Sequence, residues 1–254
     1  TGKTSVFNAL TGLNQKEGNY TGITVEKKQG SCRLDRISKA RILDLPGTYS
    51  LNASSMDESV VVELLLNKND PDFPDVAVVV TDVENLKRNL LLFTQIKDLE
   101  IPTVLVINMS DQMQRKGIKI DIEKLEEKLI TSVVLVSTRQ NSGVEKLKQI
   151  LIDYRSISTL PILDPITIDQ DYFENLGKAF PNQSLYKLWL VITQDVNFTK
   201  LERQKVPDST QFKTQSQTYL KKLQQRETIK RYQSINQILK ETYRVNREEA
   251  TDLR

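Results

Sequence analysis

Short apolar runs rich in β-branched residues alternate with stretches of helical periodicity over the first 156 residues. Such runs, bounded by turn residues, are typical of buried strands. We predict strands at residues 25–33, 40–44, 75–81, 102–108 and 132–137, and helices at residues 4–11, 56–67, 85–99, 122–130 and 143–154. Because strands that alternate with helices usually pair in parallel, the pattern predicts an α/β fold with a mostly parallel sheet covered on both faces. Asp57, Glu84 or Asn85, and Asp121 are the expected helix caps.

The pattern changes character near residue 156. Residues 156–171 contain Pro161 and Pro165 among Ser, Thr and Asp, which is typical of a connector. Beyond it no run indicates a strand, and polar helices with narrow apolar stripes are predicted at residues 172–180, 184–195, 210–225 and 227–244. We therefore expect an α/β domain at residues 1–156 and a small all-helical domain at residues 157–254.

Composition excludes several kinds of chemistry. The chain of 254 residues has no histidine and one cysteine, Cys32, which excludes disulfides, zinc knuckles and histidine acid–base catalysis. The formal net charge of +3 is too small to indicate a nucleic-acid partner. The apolar runs are shorter than the ~20 residues that span a bilayer, so we expect a soluble chain suited to a reducing compartment.

Residues 1–5, Thr-Gly-Lys-Thr-Ser, match the second half of a phosphate-binding loop. In the full pattern, backbone N–H groups surround the phosphates, Lys3 would contact the β- and γ-phosphates, and the Thr4 hydroxyl would hold Mg²⁺. We expect the first Gly of the loop and the strand leading into it to precede these residues. Taken alone, such a tripeptide is more often a helix start or an exposed turn. The predicted nucleotide-binding residues here are Thr1, Gly2, Lys3, Thr4 and Ser5.

A second motif, Asp-x-x-Gly, ends the strand predicted at residues 40–44. Asp44 would orient a water on Mg²⁺. Gly47 would let its backbone N–H approach the γ-phosphate, because any side chain there would obstruct it. By itself the motif can also be a strand followed by a Pro-Gly turn.

Two further strand ends carry residues that suit guanine. Asn108, Met109 and Asp111 follow one strand, and the Asp111 carboxylate could accept from the N1–H and 2-amino groups of guanine, a donor pair that adenine lacks. Ser137 and Thr138 follow the next strand, where a loop amide could contact the guanine O6. Asn-x-x-Asp alone is a common turn. The ordered series of motifs at carboxyl ends of parallel strands, however, indicates a GTP-binding domain.

Residues 18–26 lie where a first switch segment is expected. A Thr there can hold Mg²⁺ with its hydroxyl while its N–H meets the γ-phosphate, an arrangement that exists only in the triphosphate state. Thr24 is our candidate, with Gly22 and Ile23 as neighbouring nucleotide contacts. Thr21 is the alternative and is also compatible with a turn before the next strand. Mg²⁺ would then be held by Thr4, Thr24 and Asp44.

Five segments together resemble one family. They are residues 2–12, 18–26, 44–51, 85–90 and 108–111. Over residues 2–138 the chain is similar to the cytosolic part of the bacterial ferrous iron transport protein B family. The resemblance implies a GTPase domain and a helical guanine-nucleotide dissociation inhibitor domain, joined to a membrane-embedded iron permease at the cytoplasmic face of the inner membrane. A homo-oligomer is left open.

The resemblance also implies potassium-stimulated hydrolysis, with an Asn just before Thr1 helping to hold the K⁺ ion. Family members usually carry Trp-Pro or Trp-Ala where this chain has Tyr20-Thr21, a departure that falls in the first switch.

Hydrolysis of GTP would depend mainly on positioning and on charge neutralisation. The candidate catalytic residues are Lys3, Thr24, Gly47 and Thr48. Thr48 stands where switch GTPases commonly have a Gln that orients water, so we expect slow intrinsic hydrolysis. Arg88 is expected to form a surface ion pair rather than to serve as an arginine finger.

The sequence is also compatible with two other functions. A soluble ribosome- or RNA-associated GTPase would also lack the Gln, but the tail lacks the clustered basic and aromatic positions of an RNA reader. Its cations are expected on a solvated face: Lys221, Lys222, Arg226, Lys230 and Arg231. A non-hydrolysing scaffold is the third possibility, because loss of the first strand would leave a gap in the middle of the sheet.

Overall fold

The computed structural model describes residues 2–12, 15–20, 24–194, 217–248 and 250. Its strands are β1 (Gln15–Asn19), β2 (Glu26–Arg33), β3 (Lys39–Asp44), β4 (Ala77–Asp82), β5 (Thr103–Asn108), β6 (Ile118–Ile120), β7 (Val133–Leu135) and β8 (Tyr243–Val245). Its α-helices are α1 (Lys3–Thr11), α2 (Met56–Leu66), α3 (Leu86–Asp98), α4 (Met113–Lys116), α5 (Ile122–Leu129), α6 (Val144–Ile152), α7 (Gln170–Ala179), α8 (Leu185–Thr193) and α9 (Gln217–Thr242). The predicted class, α/β followed by a helical region, is confirmed.

The predicted parallel sheet is formed by β4, β5 and β7, with β5 in the middle. β5 is buried along its whole length, as expected for a strand with helices on both faces of its sheet. The pairing of β4 with β5 places Asp82 opposite Asn108, so both strands end at the same edge. Polar residues that follow these strands are thereby brought together.

A second sheet is antiparallel, with the strand order β1–β2–β3. The strand predicted at residues 25–33 is confirmed as β2, and β3 pairs with it so that Lys28 lies opposite Asp44. β1 was not predicted, because its residues Gln-Lys-Glu-Gly-Asn are all exposed and have no apolar alternation.

Two apolar clusters lie on opposite faces of the parallel sheet. Leu105 and Ile107 of β5 belong to one cluster, and Val104 and Val106 belong to the other, as the alternation of side chains along a strand requires. Helices α1 and α6 contribute to the cluster around Val104. The cluster around Leu105 contains residues of α2, α3, α5, α7, α8 and α9, so the described helices after residue 156 share their core with the sheet.

Two of the predicted helix caps need correction. Asp121 caps α5 as predicted, accepting the N–H of Lys124. α2 begins after Ser55, whose hydroxyl accepts the N–H of Glu58, so that the predicted cap Asp57 lies in the first turn. At α3, Asn85 occupies the cap position, but its side-chain amide donates to Asp82 instead of accepting from the helix.

The C-terminal region contains one long helix where two were predicted. α9 continues without a break through residue 226, so the prediction of helices at residues 210–225 and 227–244 is wrong; residues 210–216 lie outside the described residues. The apolar stripe is interrupted at Glu227 and Arg231, which are buried as an i,i+4 ion pair. Buried charges in an apolar stripe make one helix resemble two.

A short strand carries the end of α9 back to the α/β region. β8 pairs antiparallel with β6, with Ile118 opposite Val245, and the N–H of Asp121 donates to the carbonyl of Thr242 at 2.8 Å. Strands of three residues are too short to give a recognisable pattern. Among the described residues after 156, β8 is the exception to the predicted all-helical character.

A buried ion network joins α3 to α9. The Arg231 guanidinium donates to Asp98 at 2.7 Å and to Glu227 at 2.9 Å, and all three side chains are at most 1% exposed. Asp98 also accepts the N–H of Ile162 at 2.6 Å, and Glu227 accepts the indole N–H of Trp189 at 3.0 Å. The expectation that Arg231 lies on a solvated face is therefore wrong. Its charge is buried because partner carboxylates compensate for the lost hydration.

Candidate functional site

The carboxyl edge of the parallel sheet holds a group of buried polar side chains. Asp82 ends β4 and Asn108 ends β5, while Ser137 follows β7 at the same edge. Each of these residues is at most 3% exposed. Because buried polar groups require partners, the contacts that satisfy them define how the loops above the sheet are arranged.

Asn108 connects the loop that carries Thr138 with the predicted phosphate loop. Its Oδ1 accepts the N–H of Thr138 at 3.3 Å, and its amide nitrogen lies against Gly2 so closely that a β-carbon on Gly2 would overlap it. Gly2 also has a left-handed backbone, with φ of 71°. Both observations require glycine at this position, so the predicted phosphate loop and guanine motif are in direct contact.

Asp111 and Ser137 join the loops that follow β5 and β7. The Ser137 hydroxyl donates to the Asp111 carboxylate at 2.6 Å, and the N–H of Ser110 donates to the carbonyl of Val136 at 3.1 Å. Met109 has a positive φ of 61° and begins a 3₁₀ turn at residues 110–112. The turn directs the Asp111 side chain towards the loop that carries Ser137.

Lys3 stands at the first position of α1 and lies beside the Asp-x-x-Gly motif. Its ammonium donates to the Asp44 carboxylate and, at 2.6 Å, to the carbonyl of Leu45. The Asp44 side chain is 8% exposed, whereas that of Lys3 is 37% exposed. The predicted phosphate-contacting cation and the predicted Mg²⁺-orienting carboxylate are therefore adjacent.

Only some of the remaining predicted nucleotide-binding residues lie among the described residues. Thr4 and Ser5 are exposed on the first turn of α1, and Thr24 is exposed two residues before the start of β2. Within the described ranges no hydrogen bond joins Thr24 to Thr4 or Asp44. The predictions for Thr1, Thr21, Gly22 and Ile23 lie outside the described residues.

The segment after Asp44 is ordered by its own hydroxyls. The Thr48 hydroxyl donates to the carbonyl of Ser50 at 2.8 Å and lies 3.4 Å from a Glu58 carboxylate oxygen. Burial opposes ionisation of Glu58, but hydrogen bonds from Ser54, Thr48 and Ser55 outweigh it and lower the pKa of this carboxyl. A β-carbon on Gly47 would meet no described atom within 4 Å, so nothing among the described residues requires glycine there.

Asp82 is a buried carboxylate at the same edge of the sheet that the sequence analysis did not single out. Its carboxylate accepts the backbone N–H groups of Glu84 and Asn85, both at 3.0 Å, and the side-chain amide of Asn85 at 2.9 Å. Burial opposes its ionisation, but these hydrogen bonds outweigh it and lower the pKa of Asp82. Its position at a strand end is the same signal that identified Asn108.

Arg88 contacts the segment after Asp44 by stacking. Its guanidinium carbon lies 3.7 Å from the centre of the Tyr49 ring, the geometry of a cation–π contact. Within the described part of the chain it forms no ion pair, so the expected surface ion pair is wrong.

Metal binding can be judged only from the donor set. The described residues contain no cluster of three or more His, Cys, Asp or Glu side chains that could hold a metal. Mg²⁺ at a phosphate loop needs only one or two protein carboxylates or hydroxyls, because phosphate oxygens and waters complete its shell. The buried Asp44 carboxylate near the start of α1, with the Thr4 hydroxyl on that helix, is compatible with this requirement.

The architecture and the site define the class of the protein. A helix that starts at Gly-Lys-Thr, an Asp-x-x-Gly strand end and an Asn-x-x-Asp loop beside a parallel sheet make this a P-loop GTPase domain. A family model described as "Ferrous iron transport protein B" matches residues 1–151. The chain therefore belongs to the ferrous iron transport protein B family.

Relatives and solved structures agree with this assignment. The Fe(2+) transporter FeoB of Leptospira biflexa is 41% identical over 150 residues, which are 59% of this chain and 21% of that protein. The Fe(2+) transporter FeoB of Shigella flexneri is 35% identical over 189 residues, 71% of this chain and 23% of that protein. The matches thus span about a fifth of the length of these curated relatives.

Two solved structures cover nearly the whole chain. The cytosolic domain of the T. maritima FeoB iron transporter in its GMPPNP form superposes with a TM-score of 0.81 at 28% identity, covering 96% of this chain and 95% of that one. The cytosolic domain of L. pneumophila FeoB gives a TM-score of 0.70 at 30% identity, covering 96% and 95%. None of the helices in the described residues is long and apolar enough to cross a membrane.

Proposed function

We propose that this chain binds GTP and GDP, hydrolyses GTP slowly, and couples its nucleotide state to ferrous iron uptake by a membrane-embedded part of the same protein. The observation that carries the proposal is the contact between the two halves of the predicted site. Asn108 lies against Gly2, while Ser137 orients Asp111. A group that reads guanine and a group that binds phosphate are thereby held next to each other.

Base selection is assigned to Asp111. As a carboxylate it is an acceptor only, and guanine offers it two donors where adenine does not. Ser137 occupies one of its oxygens at 2.6 Å, which fixes the direction of the carboxylate. Asn108, Met109 and Thr138 complete this side of the site.

Phosphate binding is assigned to Gly2, Lys3, Thr4 and Ser5 at the start of α1. A helix N-terminus with free backbone N–H groups favours anions, and Lys3 adds a full positive charge. Lys3 now pairs with Asp44 and Leu45, so phosphate binding must compete with these bonds. Mg²⁺, held by Thr4, Thr24 and Asp44, would neutralise phosphate charge. The family resemblance alone implies a role for K⁺.

Slow hydrolysis follows from the residues after Gly47. The Thr48 hydroxyl is engaged by Ser50 and Glu58, and no amide side chain stands in its place to orient a water. Positioning by backbone groups and charge neutralisation by Lys3 remain as the contributions to rate.

The coupling to iron uptake rests on the family. The relatives named above are Fe(2+) transporters, and this chain corresponds to a fifth of their length. We assign it to the cytoplasmic face of the bacterial inner membrane, as the regulatory part of such a transporter, with residues 157–254 as a dissociation-inhibitor type domain. A ribosome- or RNA-associated role is not favoured, since the curated relatives are transporters and Arg231 is buried.

The test is nucleotide selectivity of the full-length protein and of Asp111→Asn. Fluorescent GTP, ATP and XTP analogues should show GTP preferred by the wild type. The variant should lose GTP affinity and favour XTP, because an amide donates where the carboxylate accepted. Asp153→Asn, at an exposed position, should leave the preference unchanged. Equal affinity of Asp111→Asn for GTP and XTP would contradict the assignment of Asp111.

A further inference from the structure

The turn between β2 and β3 carries the most exposed large apolar side chain of the described residues. Ile37 is 93% exposed. The Asp35 carboxylate accepts the N–H of Ile37 at 2.7 Å and both the N–H and the hydroxyl of Ser38. The N–H of Leu34 closes the turn on the carbonyl of Ser38 at 3.0 Å. Hydrogen bonds within the turn therefore hold Ile37 outwards, at the end of what we call the hairpin tip, residues 33–39.

Positive charge surrounds Ile37 on the hairpin tip. Asp35 is the only acidic residue between residues 31 and 41, and its carboxylate already accepts hydrogen bonds from the turn. Three exposed cations of the tip form no ion pair with any other described residue: Arg33, Arg36 and Lys39. A single exposed apolar side chain is ordinary on a protein surface. An exposed isoleucine among three uncompensated cations is a more specific combination.

Two of these cations repel each other. Arg33 of β2 lies directly opposite Lys39 of β3, and both are exposed. Like charges at opposite positions destabilise a pair of strands. Arg41, two residues further along the same face of β3, pairs with Asp72 at 2.7 Å, so its charge is compensated within the protein. The charges of Arg33 and Lys39 are not compensated in this way, which suits them to an anion from outside the protein.

The chemistry of the hairpin tip distinguishes between anionic partners. A bilayer surface offers anionic headgroups to the cations and, directly beneath them, an apolar layer to an aliphatic side chain. A nucleic acid offers phosphates but binds its protein partners largely by stacking on aromatic rings, and residues 33–39 contain no aromatic residue. The combination of Ile37 with its neighbouring cations therefore favours a lipid surface.

The hairpin tip and the predicted nucleotide site lie at opposite ends of β3. The strand runs from Lys39 at the tip to Asp44 at the site, a length of about 17 Å. Contact of the tip with a surface therefore leaves the phosphate loop accessible to nucleotide. A membrane-embedded part of the same protein would keep this chain close to the bilayer, so that even a weak contact would be occupied.

We propose that the hairpin tip docks on the anionic surface of the membrane. Ile37 enters the headgroup layer, while Arg33, Arg36 and Lys39 contact lipid phosphates. One apolar side chain with three cations gives a reversible contact and not a permanent anchor. The inference rests on the proposed function, because it requires the membrane-embedded part, and it adds the surface that this chain turns towards the bilayer.

The test is amide hydrogen exchange of residues 35–38 in the full-length protein, reconstituted into nanodiscs. Discs of phosphatidylcholine alone are compared with discs that also contain phosphatidylglycerol. In the wild type, exchange should be at least about five-fold slower in the anionic discs, the factor that one cation near an anionic surface contributes. Ile37→Ser should reduce this difference, because it removes the apolar contact.

Arg33→Glu separates docking from the stability of the hairpin. It should abolish the effect of lipid on exchange, because it replaces a cation with a charge that anionic lipids repel. It also turns the repulsive pair with Lys39 into a pair of opposite charges, so urea unfolding should show no loss of stability. If Arg33→Glu fails to fold, Lys39→Glu makes the same change from the other strand.

Two matched controls lie on other elements. Lys178→Gln removes an exposed cation of α7, and Ile229→Ser removes an isoleucine of α9 that is 56% exposed. Both variants should keep the wild-type difference between the two kinds of disc. Loss of the difference in either control would show that it does not depend on the hairpin tip and would overturn the proposal.

The outcomes also separate docking from the proposed function. Fast exchange in both kinds of disc would overturn docking. Slow exchange in both would mean that a protein surface covers the tip, and would overturn the assignment to lipid. In either case, a wild type that prefers guanine nucleotides leaves the proposed function standing. Slower exchange in anionic discs, in a protein that binds no guanine nucleotide, would support docking and overturn the GTPase assignment.

Discussion

The side-chain amide of Asn108 occupies the space that a β-carbon on Gly2 would fill. Asn108 is 1% exposed and is held by the N–H of Thr138, so it cannot move aside without losing that bond. Asn108 of the predicted guanine motif thus limits residue 2 of the predicted phosphate loop to glycine.

Gly2→Ala should lower guanine-nucleotide affinity and stability together. Its φ of 71° is unfavourable for alanine, and the methyl group must displace Asn108, for a combined cost of about 1–3 kcal/mol. Thermal unfolding and nucleotide titration measure the two effects. Gly12 has a φ of 59°, Gly18 does not have a positive φ, and a β-carbon on either glycine would meet no described atom within 4 Å. Gly12→Ala should show the cost of backbone strain alone, and Gly18→Ala should show almost no effect. If Gly2→Ala loses no more stability and nucleotide affinity than Gly12→Ala, the steric conflict with Asn108 is contradicted.

Ser137→Ala should weaken GTP binding while leaving the fold intact. The hydroxyl donates to Asp111 at 2.6 Å, and a hydrogen bond to a carboxylate contributes about 1.5–3 kcal/mol. Without it the carboxylate is no longer directed, and we expect at least a roughly tenfold loss in affinity. Ser142→Ala is the control, because Ser142 pairs with Ser137 through main-chain atoms. Unchanged GTP affinity in Ser137→Ala would show that Asp111 does not depend on this bond.

Asp82→Asn should destabilise the protein at neutral pH and change its acid unfolding. The pKa of Asp82 is lowered in the folded state, because hydrogen bonds from Asn85 and the N–H of Glu84 outweigh burial. A lowered folded pKa gives stability that is present above the unfolded pKa of about 3.9 and is lost as the pH falls through the folded pKa. Urea unfolding at pH 7 should show a loss of about 1–3 kcal/mol.

The difference between wild type and Asp82→Asn should then shrink as the pH falls below the unfolded pKa of about 3.9, since the wild-type carboxylate becomes protonated as the pH approaches its lowered folded pKa. Asp153→Asn, at an exposed position, should follow the wild type throughout. A gap that stays constant with pH would mean that shape, and not charge, accounts for the effect of Asp82.

Arg231→Met should be among the most destabilising substitutions in the helical region. It would leave the carboxylates of Asp98 and Glu227 buried without their cation, at a cost of about 3–5 kcal/mol. Adding Asp98→Asn should recover part of the loss, because one of the uncompensated charges is removed. Urea unfolding of the single and double variants gives the coupling energy.

The exposed pair Lys148–Glu145 provides the comparison. Its removal should change the free energy of unfolding by less than about 1 kcal/mol. If the Arg231 and Asp98 substitutions were simply additive, the two residues would not be coupled.

The sequence predicts which residues meet at the carboxyl edge of the parallel sheet, because strong apolar patterns show where the strands end. Asn108 and Ser137 each come at or just after a buried β-branched run, and parallel pairing brings such ends together. Gln194 could not be identified in this way, since its partner is the backbone carbonyl of Leu51, 143 residues away. A cation in a polar helix normally lies in solvent, which is why the sequence predicts an exposed Arg231. Glu227 is in the same helix, but the second carboxylate, Asp98, is supplied only by tertiary contact.

The pairing of β8 with β6 joins two segments that are far apart in the sequence. β6 follows the Asn108–Asp111 loop, and β8 follows the long helix α9. Ile118 of β6 nevertheless pairs with Val245 of β8. The far end of α9 therefore has a mechanical connection to the guanine side of the site that bypasses the residues between α8 and α9. Tension applied beyond Val245 would load β6 directly, by shear of its hydrogen bonds, before it reached the connector around residue 160.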